Sequence, residues 1–284
     1  METTLIKFSR PVRRSSNNML SIIITHYKTP VLLNLCLDSI KENIKEIDYE
    51  VIVVDSESEL SVRKMIKRKL TQAKLIRFSK NVGYAKLVNS GIRSAKGEYL
   101  FFINADIIIS KNAVEQMIDF IKNHPLAGMI GPQLLGFNNL PQKSCFRFPT
   151  LASVVARRTF LGKTKWGKRK LDHFLMNDVD LSSPQPVDWI QGSAMLTKKE
   201  HAEKIGEWDE RFFIYLEDTD WCRRFWQQGY QVIYFPSAKV FHYYGRASKK
   251  WGGFLDAFLN KYTWIHLSSA FKYFLKWRKI KLNR

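Results

Sequence analysis

The chain has 284 residues, of which 45% are hydrophobic and 13% aromatic, and it carries a formal net charge of +20. That length and apolar content suffice for a packed core and exclude a disordered or fibrous chain. Three widely spaced cysteines, Cys36, Cys145 and Cys222, match neither a disulfide framework nor a metal site, and the basic N-terminal tail 1–18 lacks the apolar segment of a signal peptide. Since no window approaches the roughly 18 apolar residues that span a bilayer, we expect a cytoplasmic protein whose membrane contact is at most peripheral.

The positive charge is concentrated in two zones. Residues 246–284 contain ten Lys and Arg against one acid, and residues 157–170 contain seven Lys and Arg with no acid. A charged zone is most often a solvated face, which requires no partner. Alternatively, such zones bind nucleic acid, anionic lipid headgroups or a phosphorylated substrate, and net charge does not distinguish these partners.

The first half of the chain alternates between strand-like and helix-like segments. Short β-rich runs occupy residues 20–25, 50–54, 74–78 and 99–103, and apolar residues between the first two runs recur at helical spacing. Continuous apolar strands separated by amphipathic helices predict a mainly parallel sheet covered on both faces. Such sheets bind ligands beyond the carboxyl ends of their strands, so polar residues at those ends are candidates for a site.

Polar residues follow three of these strands. They are Thr25, His26 and Tyr27 after the first strand, Asp55 after the second, and Asn104 and Asp106 after the fourth. A carboxylate at the edge of an apolar sheet is costly unless a hydrogen-bond network or a cation compensates it. The alternative is that Asp106 only organises a turn. Ser110 is better placed to cap the next helix, predicted over 111–122, which weakens that alternative.

Two segments that contain glycine are candidates for backbone contact with a ligand. Gly83 follows Asn81 after the third strand, and a glycine lets the backbone approach a bound group closely. Residues 187–200 predict a strand that enters a turn at Gly192 and Ser193 and continues into a short helix. Glycine at the start of a helix is also an ordinary structural feature.

Three acids lie together at residues 217–220, where an aromatic run passes into a predicted helix. Asp220 and Arg224 are four residues apart and are expected to form an ion pair on that helix. Glu217 and Asp218 either cap the helix, whose dipole stabilises acids in its first turn, or provide a general base at a cleft.

Taken in order, these motifs resemble those of the family 2 glycosyltransferases over about residues 19–248, and within that family most resemble those of bacterial rhamnosyltransferases that build cell-surface polysaccharide. The matching residues are Asp55, Asn81 to Gly83, Asn104 to Asp106, Gly192 to Met195, Trp208 to Phe213, Glu217 to Arg224, and His242 with Gly245 and Ser248, together with CFRFPTL at 145–151. Each motif alone is weak, whereas their combined order and spacing are specific.

The resemblance implies the GT-A fold, an α/β architecture with a Rossmann-like, mainly parallel sheet flanked by helices. It assigns residues 19–130 to a nucleotide-sugar half and residues 131–248 to an acceptor and catalytic half. In residues 249–284, apolar and aromatic residues recur at helical spacing among Lys and Arg, which predicts a basic amphipathic tail helix at an anionic membrane surface. The aromatic residues expected at that surface include Phe271, Tyr273, Phe274 and Trp277. Alternatively, residues 251–265 pack on the catalytic domain.

The resemblance also implies a nucleotide-diphosphate sugar as the donor. Asp106 matches the last acid of the family's D-x-D metal motif and would hold Mg²⁺ or Mn²⁺ against the diphosphate, with His242 as a further ligand or as a packed core residue. The first acid of that motif is Asn104 here, which brings no charge. The other implied donor contacts are Asp55 to the pyrimidine base, Thr25 and Tyr27 beside it, Asn81 and Gly83 at the nucleoside, and Arg147 at the diphosphate. Glu57 and Glu59 replace residues that are usually small or amides, so the base preference stays open.

For catalysis, the resemblance makes Asp218 the base of a single in-line displacement that inverts the anomeric carbon, with Glu217 as the next candidate. The implied acceptor side contains Gly192, Ser193, Trp189 and Trp208.

The predicted function is metal-dependent transfer of a sugar, with rhamnose from dTDP-rhamnose favoured, to a lipid-linked or lipopolysaccharide glycan at the cytoplasmic membrane face. One alternative is a different sugar from a UDP donor. A basic nucleic-acid-binding protein is an alternative of another class, but acids at strand ends do not help to bind a phosphate backbone. A catalytically inactive sugar-nucleotide sensor is disfavoured because both Asp106 and Asp218 are present.

Overall fold

The computed structural model describes residues 19–57, 59–243 and 261–280, and its centre is a mixed β-sheet. The strands are β1 (Leu20–Tyr27), β2 (Tyr49–Ser56), β3 (Lys74–Phe78), β4 (Tyr99–Asn104), β5 (Ile107–Ile109), β6 (Ala127–Leu135), β7 (Pro141–Gln142), β8 (Cys145–Phe146), β9 (Gln185–Pro186), β10 (Trp189–Ile190), β11 (Ala194–Lys198) and β12 (Gln231–His242). The helices are α1 (Pro30–Asn43), α2 (Leu60–Lys69), α3 (Tyr84–Ser94), α4 (Ala113–Asn123), α5 (Leu151–Arg158), α6 (Lys165–Phe174), α7 (Lys199–Ile205), α8 (Glu217–Gln227) and α9 (Lys261–Trp277), with a 3-10 turn at Phe160–Lys163. The predicted N-terminal tail 1–18, the motif residues Gly245 and Ser248, and the first part of the predicted tail helix lie outside the described residues.

The ten-stranded sheet has the order β3-β2-β1-β4-β11-β6-β12-β5, with β7 paired to β6 and β9 paired to β12. The first four strands of the chain are parallel to one another, as their alternation with helices predicts. Strand β11 runs antiparallel between β4 and β6, so the second half of the chain completes the sheet that the first half begins. Strands β8 and β10 form a separate antiparallel pair. The predicted α/β class with a largely parallel central sheet is confirmed.

Helices cover both faces of the sheet because successive side chains of a strand point to opposite sides. Ile22 and Ile24 of β1 pack with α1, α2 and α4 on one face, whereas Ile23 packs with α3, α7 and α8 on the other. Complete burial of each such side chain contributes roughly 1.5–3 kcal/mol. The carboxyl ends of the central strands are therefore held from both sides.

Two local predictions are wrong. Helix α4 begins at Ala113, after Asn112 in a left-handed conformation with a φ of 61°, and no side chain caps it. Ser110 does not cap this helix because the chain makes a further turn before the helix begins. Gly192 and Ser193 lie between β10 and β11, and the short helix α7 begins only after β11. The chain stays extended after this turn because β11 pairs with both β4 and β6.

The tail helix α9 packs on the second half of the chain. Tyr273 and Trp277 are buried with Phe212. The prediction that both aromatic residues lie at a membrane surface is therefore wrong. The lysines next to them in the sequence gave the segment the pattern of an interfacial helix, although one face of the helix packs on the protein. On the opposite face, the exposed apolar side chains are Trp264, Leu267, Phe271 and Leu275. Of the helices described, none has the combination of length and hydropathy that a bilayer crossing demands.

Candidate active site

The carboxyl ends of β1, β2 and β4 bring sequence-predicted side chains to one edge of the sheet. The parallel register sets Thr25 beside Asn104 and His26 beside Asp55. The Thr25 hydroxyl donates to Asn104 Oδ1 at 3.0 Å. The Asn104 N–H donates to the Ser193 carbonyl at 3.0 Å, which joins the turn before β11 to this edge. Ser193 Oγ is buried and has no hydrogen-bond partner among the described residues.

Asp55 is fully buried below this edge. Its Oδ1 accepts a hydrogen bond from His26 Nδ1 at 2.9 Å. The Thr29 N–H donates to His26 Nε2 at 3.0 Å, so the neutral ring carries its proton on Nδ1. Asp55 Oδ2 is buried without a hydrogen-bond partner in the part of the chain that the structure describes. A buried acceptor of this kind is costly until a donor pairs with it, which suits a ligand that carries a ring N–H.

An open cavity of about 580 Å³ adjoins these strand ends, lined by Lys28, Glu57, Arg77, Phe78 and Ser79. The Glu57 carboxylate pairs with Lys28, accepts the Tyr27 hydroxyl at 3.4 Å and accepts the Asn81 N–H at 3.2 Å. Asn81 Oδ1 in turn accepts the Gly83 N–H at 3.0 Å. Glu57 and Lys28 have φ values of 58° and 52°, and functional sites often retain such strained conformations. The predicted nucleoside contacts Tyr27, Asn81 and Gly83 are thus connected through Glu57.

Asp106 lies in the turn after β4, and β12 brings His242 opposite it. His242 Nε2 is 3.7 Å from Asp106 Oδ2, which is longer than a hydrogen bond but short enough for both atoms to bind one cation. Gln142 Nε2 donates to the His242 carbonyl at 3.1 Å, so Gln142 Oε1 is the acceptor for His242 Nδ1 at 2.8 Å. The neutral ring consequently has its lone pair on Nε2, an arrangement that metal-binding histidines use.

Burial determines the protonation of this pair. It raises the pKa of Asp106 to about 6 and lowers the pKa of His242 to about 4. Asp106 Oδ1 is buried and has no hydrogen-bond partner within the described ranges. Across residues 19–57, 59–243 and 261–280, no three His, Cys, Asp or Glu side chains are grouped to hold a metal ion. A divalent cation fits beside the Asp106 carboxylate if the donor and water supply its remaining ligands.

Asp218 lies in the first turn of α8 and accepts three hydrogen bonds. Its Oδ2 accepts the Gly192 N–H at 2.9 Å, and its Oδ1 accepts the Thr219 N–H at 2.7 Å and the Thr219 hydroxyl at 3.2 Å. Any larger residue at position 192 would crowd Asp218, because its Cβ would lie 3.2 Å from the Asp218 Cβ. The preceding Tyr215 and Leu216 have φ values of 74° and 69°, a strained turn that aims the first turn of α8.

Glu217 and Tyr84 complete the surroundings of Asp218. The Tyr84 hydroxyl donates to the Gly192 carbonyl at 2.5 Å. Burial raises the pKa of Glu217 and of Asp218, and the Asp218 charge raises the pKa of Glu217 further. Burial and these two carboxylates also raise the pKa of Tyr84. A carboxylate whose pKa is raised is suited to accept a proton from a substrate hydroxyl.

Asp220 connects α8 to the tail helix α9. Arg224 Nε donates to Asp220 Oδ2 at 3.2 Å, which confirms the ion pair predicted from the sequence. Lys276 Nζ and Trp277 Nε1 donate to the same buried carboxylate, each at 2.8 Å. Loss of a donor to a buried carboxylate is costly, so these contacts hold the first turn of α8 against α9.

Three predicted contact residues lie differently from the rest. Trp208 is buried in the core, and its ring packs below Gly192. The Arg147 guanidinium donates to Asp178 Oδ1 at 2.6 Å, so a diphosphate contact would require this ion pair to open. Trp189 is half-buried and stacks on a phenylalanine of β8 at 4.5 Å.

Sequence reasoning assigned no role to His26, Tyr84 or Gln142. His26 stands in the polar run at the end of β1, and Tyr84 follows Gly83, so both had a local signal. Gln142 had none, because it lies 100 residues from His242, which it orients.

Family models match most of the chain in two overlapping segments. The model described as "Glycosyl transferase family 2" matches residues 21–165, and the model described as "Glycosyl transferase family group 2" matches residues 99–281. The N-acetylglucosaminyl-diphospho-decaprenol L-rhamnosyltransferase of Mycobacterium tuberculosis is 24% identical over 209 residues, which cover 70% of this chain and 67% of the relative. Rhamnosyltransferase WbbL of Escherichia coli (strain K12) is 25% identical over 276 residues, which cover 94% of this chain and 96% of the relative.

Two solved glycosyltransferases share the fold. GalNAc-T7, solved with UDP, GalNAc and Mn²⁺, has a TM-score of 0.63 at 15% identity and covers 83% of this chain. This chain spans only 45% of the GalNAc-T7 chain. Mannosyltransferase PcManGT of Pyrobaculum calidifontis, solved with GDP-Man and Mn²⁺, has a TM-score of 0.56 at 16% identity and covers 94% of this chain and 77% of its own. The fold is therefore GT-A, and with the first family model matching residues 21–165, the chain belongs to glycosyl transferase family 2.

Proposed function

We propose that this glycosyltransferase transfers rhamnose from dTDP-rhamnose, with inversion at the anomeric carbon, to a lipid-linked or lipopolysaccharide glycan. The proposal is carried by buried carboxylate oxygens at the end of β2, in the turn after β4 and at the start of α8. Oδ2 of Asp55, Oδ1 of Asp106 and Oε2 of Glu217 are buried without a hydrogen-bond partner in the described regions. Such atoms are costly unless a ligand compensates them with donors or a cation. The names of the two rhamnosyltransferase relatives favour rhamnose over other sugars.

The donor nucleoside would occupy the carboxyl ends of β1, β2 and β3, in the half formed by residues 19–130. Asp55 Oδ2 would accept the ring N–H of the pyrimidine, with Thr25 and Tyr27 beside the base. The buried His26 orients Asp55 through its Nδ1–H. The other proposed donor contacts are Asn81 and Gly83 at the nucleoside, Asn104 at the ribose, and Arg147 at the diphosphate.

The donor diphosphate would be bound with Mg²⁺ or Mn²⁺ at Asp106 and His242. When bound, the cation would neutralise the charge that develops on the leaving diphosphate. The 3.7 Å separation of Asp106 Oδ2 and His242 Nε2 supports a shared cation. Asn104 supplies an amide where a second carboxylate would add charge, so this site depends on the diphosphate oxygens for much of its negative charge.

Asp218 would remove the proton from the acceptor hydroxyl as that oxygen attacks the anomeric carbon. Its hydrogen bonds from the Gly192 and Thr219 N–H groups fix the carboxylate in position. Oδ2 accepts only one of the three hydrogen bonds to Asp218 and retains a lone pair for the incoming proton, since a carboxylate has about two acceptor sites on each oxygen. Glu217 is the alternative base. Gly192, Ser193, Trp189 and Trp208 belong to the acceptor side of this proposal, in the half formed by residues 131–248.

A lipid-linked acceptor would place the protein at the cytoplasmic face of the membrane. The exposed face of α9 supports this location, because its apolar side chains form one stripe along the helix. They are Trp264, Leu267, Phe271 and Leu275. The exposed cations Lys272 on α9 and Arg278 and Lys279 in the turn after it match an anionic surface.

A thermal-shift screen tests the proposed donor. The full chain is heated with dTDP-rhamnose, UDP sugars and GDP sugars, each with and without Mn²⁺. A ligand at about 100 times its dissociation constant adds roughly 2.7 kcal/mol of stability, so dTDP-rhamnose with Mn²⁺ should raise the unfolding temperature most. A larger shift from a UDP sugar would replace the donor in this proposal. If no nucleotide sugar stabilises the protein, the proposed function fails.

A further inference from the structure

Helices α5 and α6 and the 3-10 turn between them, here called the 151–174 hairpin, leave large apolar side chains in solvent. Phe160 is 77% exposed. Leu151, Val155 and Trp166 are exposed as well. Single apolar residues are common on protein surfaces, whereas several within one short segment make that segment a candidate interaction surface.

The hairpin is a tightly packed unit. Gly162 and Gly167 have no room for a Cβ, which would collide with the carbonyl oxygens of Ala156 and Leu161 respectively. Phe174, the last residue of α6, is buried. The exposed apolar side chains therefore project from a closely packed backbone and are not part of the core of the hairpin.

The same hairpin carries a high positive charge. Residues 157–170 contain seven Lys and Arg and no Asp or Glu. Lys163, Lys165, Lys168 and Arg169 are exposed, and within the described ranges none of the four has an ion-pair partner. Several unpaired cations close together on one surface attract an anionic partner.

We infer that the 151–174 hairpin is a membrane-docking element that binds the surface of an anionic bilayer. A bilayer surface accepts apolar and aromatic side chains at the level of the acyl chains and cations at the level of the headgroups. A nucleic acid would use the cations but would leave Leu151 and Phe160 exposed. The inference rests on the proposed function only because a lipid-linked acceptor gives membrane docking a purpose.

The position of the hairpin next to α9 supports this occupant. The Arg223 guanidinium lies over the Phe148 ring at 5.3 Å and over the Trp277 ring at 4.6 Å. Phe148 lies three residues before the start of α5, and Trp277 ends α9. The hairpin therefore begins beside the helix whose exposed face also combines apolar and basic residues, so two neighbouring elements would share one membrane contact.

Vesicle sedimentation of the full chain tests the inference. The vesicles contain phosphatidylcholine alone or phosphatidylcholine mixed with phosphatidylglycerol. Each cation near an anionic bilayer strengthens binding about fivefold, so the triple substitution Lys165→Ser, Lys168→Ser and Arg169→Ser should weaken binding to the mixed vesicles about 10²-fold. Loss of an inserted aromatic ring should also weaken binding, so Phe160→Ser should reduce it about tenfold.

Two matched controls separate docking from general charge and hydrophobicity. Arg63→Ser, Lys64→Ser and Lys67→Ser remove the same charge from the exposed side of α2. Leu126→Ser removes an apolar side chain that is 61% exposed outside the hairpin. Both controls should bind mixed vesicles within about twofold of the unmodified chain. The α2 cations lie outside the proposed contact, and attraction to an anionic bilayer falls off within a Debye length of its surface. Leu126 lies outside the proposed contact as well and would not insert into the bilayer.

Several outcomes would overturn the inference. Equal weakening by the α2 triple substitution would show general electrostatic attraction. Unchanged vesicle binding of the hairpin variants, with binding lost only in Phe271→Ser, would assign docking to α9 alone. Loss of oligonucleotide binding without loss of vesicle binding would indicate a nucleic-acid surface. Donor binding of the same variants is measured by thermal shift. If dTDP-rhamnose does not stabilise the protein, the proposed function fails, but the vesicle result still tests the docking inference by itself.

Discussion

The proposed donor edge, at the carboxyl ends of β1, β2 and β4, and the proposed catalytic turn, at the start of α8, are assembled in different ways. At the donor edge, Thr25, Asp55 and Asn104 are set by the register of adjacent parallel strands. At the catalytic turn, Asp218 depends on a glycine N–H from the turn before β11 and on a strained approach to α8. Asp220, two residues further, is held by Trp277 from the tail helix. The first region follows from regular sheet geometry, whereas the second requires contacts between distant segments.

The two acids at these regions also differ electrostatically. Asp106 has one buried oxygen without a hydrogen-bond partner among the described residues, and burial raises its pKa to about 6. Asp218 has a hydrogen-bond donor at each oxygen. Asp106 thus requires a ligand to compensate its charge, whereas Asp218 is already oriented. Substitutions at the two positions should therefore cause different defects.

Asp218→Asn should have the largest effect on activity. The amide keeps the shape of the side chain but cannot take a proton, so turnover should fall by roughly 10²–10⁴ while nucleotide-sugar binding survives. Initial-rate kinetics and donor titration measure the two quantities separately. If Asp218 serves only to hold the start of α8, Asn still accepts one of its two backbone N–H bonds, so turnover should fall by no more than about tenfold. That result would make Glu217 the residue to test next.

Asp220→Asn is the matched control for this substitution. The same chemical change two residues along α8 removes a buried charge that pairs with Arg224 and Lys276. We expect it to lower thermal stability and to change turnover far less than Asp218→Asn does.

Asp106→Ala should impair metal-dependent donor binding and turnover together. It removes the carboxylate proposed to hold the cation, and metal stabilisation of a leaving phosphate is worth several kcal/mol, so turnover should fall by about 10²–10³. Donor titration with and without Mn²⁺ measures the binding defect. Asp119→Ala, at an exposed position on α4, controls for the change in charge. Donor binding that still responds to Mn²⁺ in Asp106→Ala would contradict the metal assignment.

Much of the first region could be predicted from the sequence. Continuous apolar runs mark β1 to β4, and Thr25, Asp55 and Asn104 follow these runs directly, in the last residues of β1, β2 and β4. Helix α8 and its Asp220–Arg224 ion pair were also predictable, because both follow from helical spacing. The roles of the individual site residues remain predictions.

The remaining features depend on contacts that no local pattern contains. Trp277 is 57 residues from Asp220, and the lysines around it gave the tail the pattern of an interfacial helix. The cap at Ser110 was wrong because an extra turn ending at Asn112 precedes α4. The role of Gln142 in orienting His242 depends on how β6, β7 and β12 pair.

Trp277→Ala should destabilise the protein by about 3–5 kcal/mol, because it removes a buried ring and a hydrogen bond to a buried carboxylate. Trp264→Ala is the matched control on the same helix, since Trp264 is 56% exposed and its loss should change stability by no more than about 0.5 kcal/mol. Denaturant unfolding measures both. Equal effects of the two substitutions would contradict the docking of α9 on α8.

Acidification should have the smallest of these effects and should act through Asp106. Its pKa is raised to about 6, so it becomes protonated as the pH falls through that value, while His242, with a pKa lowered to about 4, stays neutral. Because protons compete with the cation, donor affinity in Mn²⁺ should fall about tenfold between about pH 7 and pH 5, in line with the ionised fraction of Asp106. Calorimetric titration measures this slope, and titration without Mn²⁺ provides the control. Asp106→Ala should abolish the slope, and a slope that persists in that variant would assign the titration to Glu217 or Asp218.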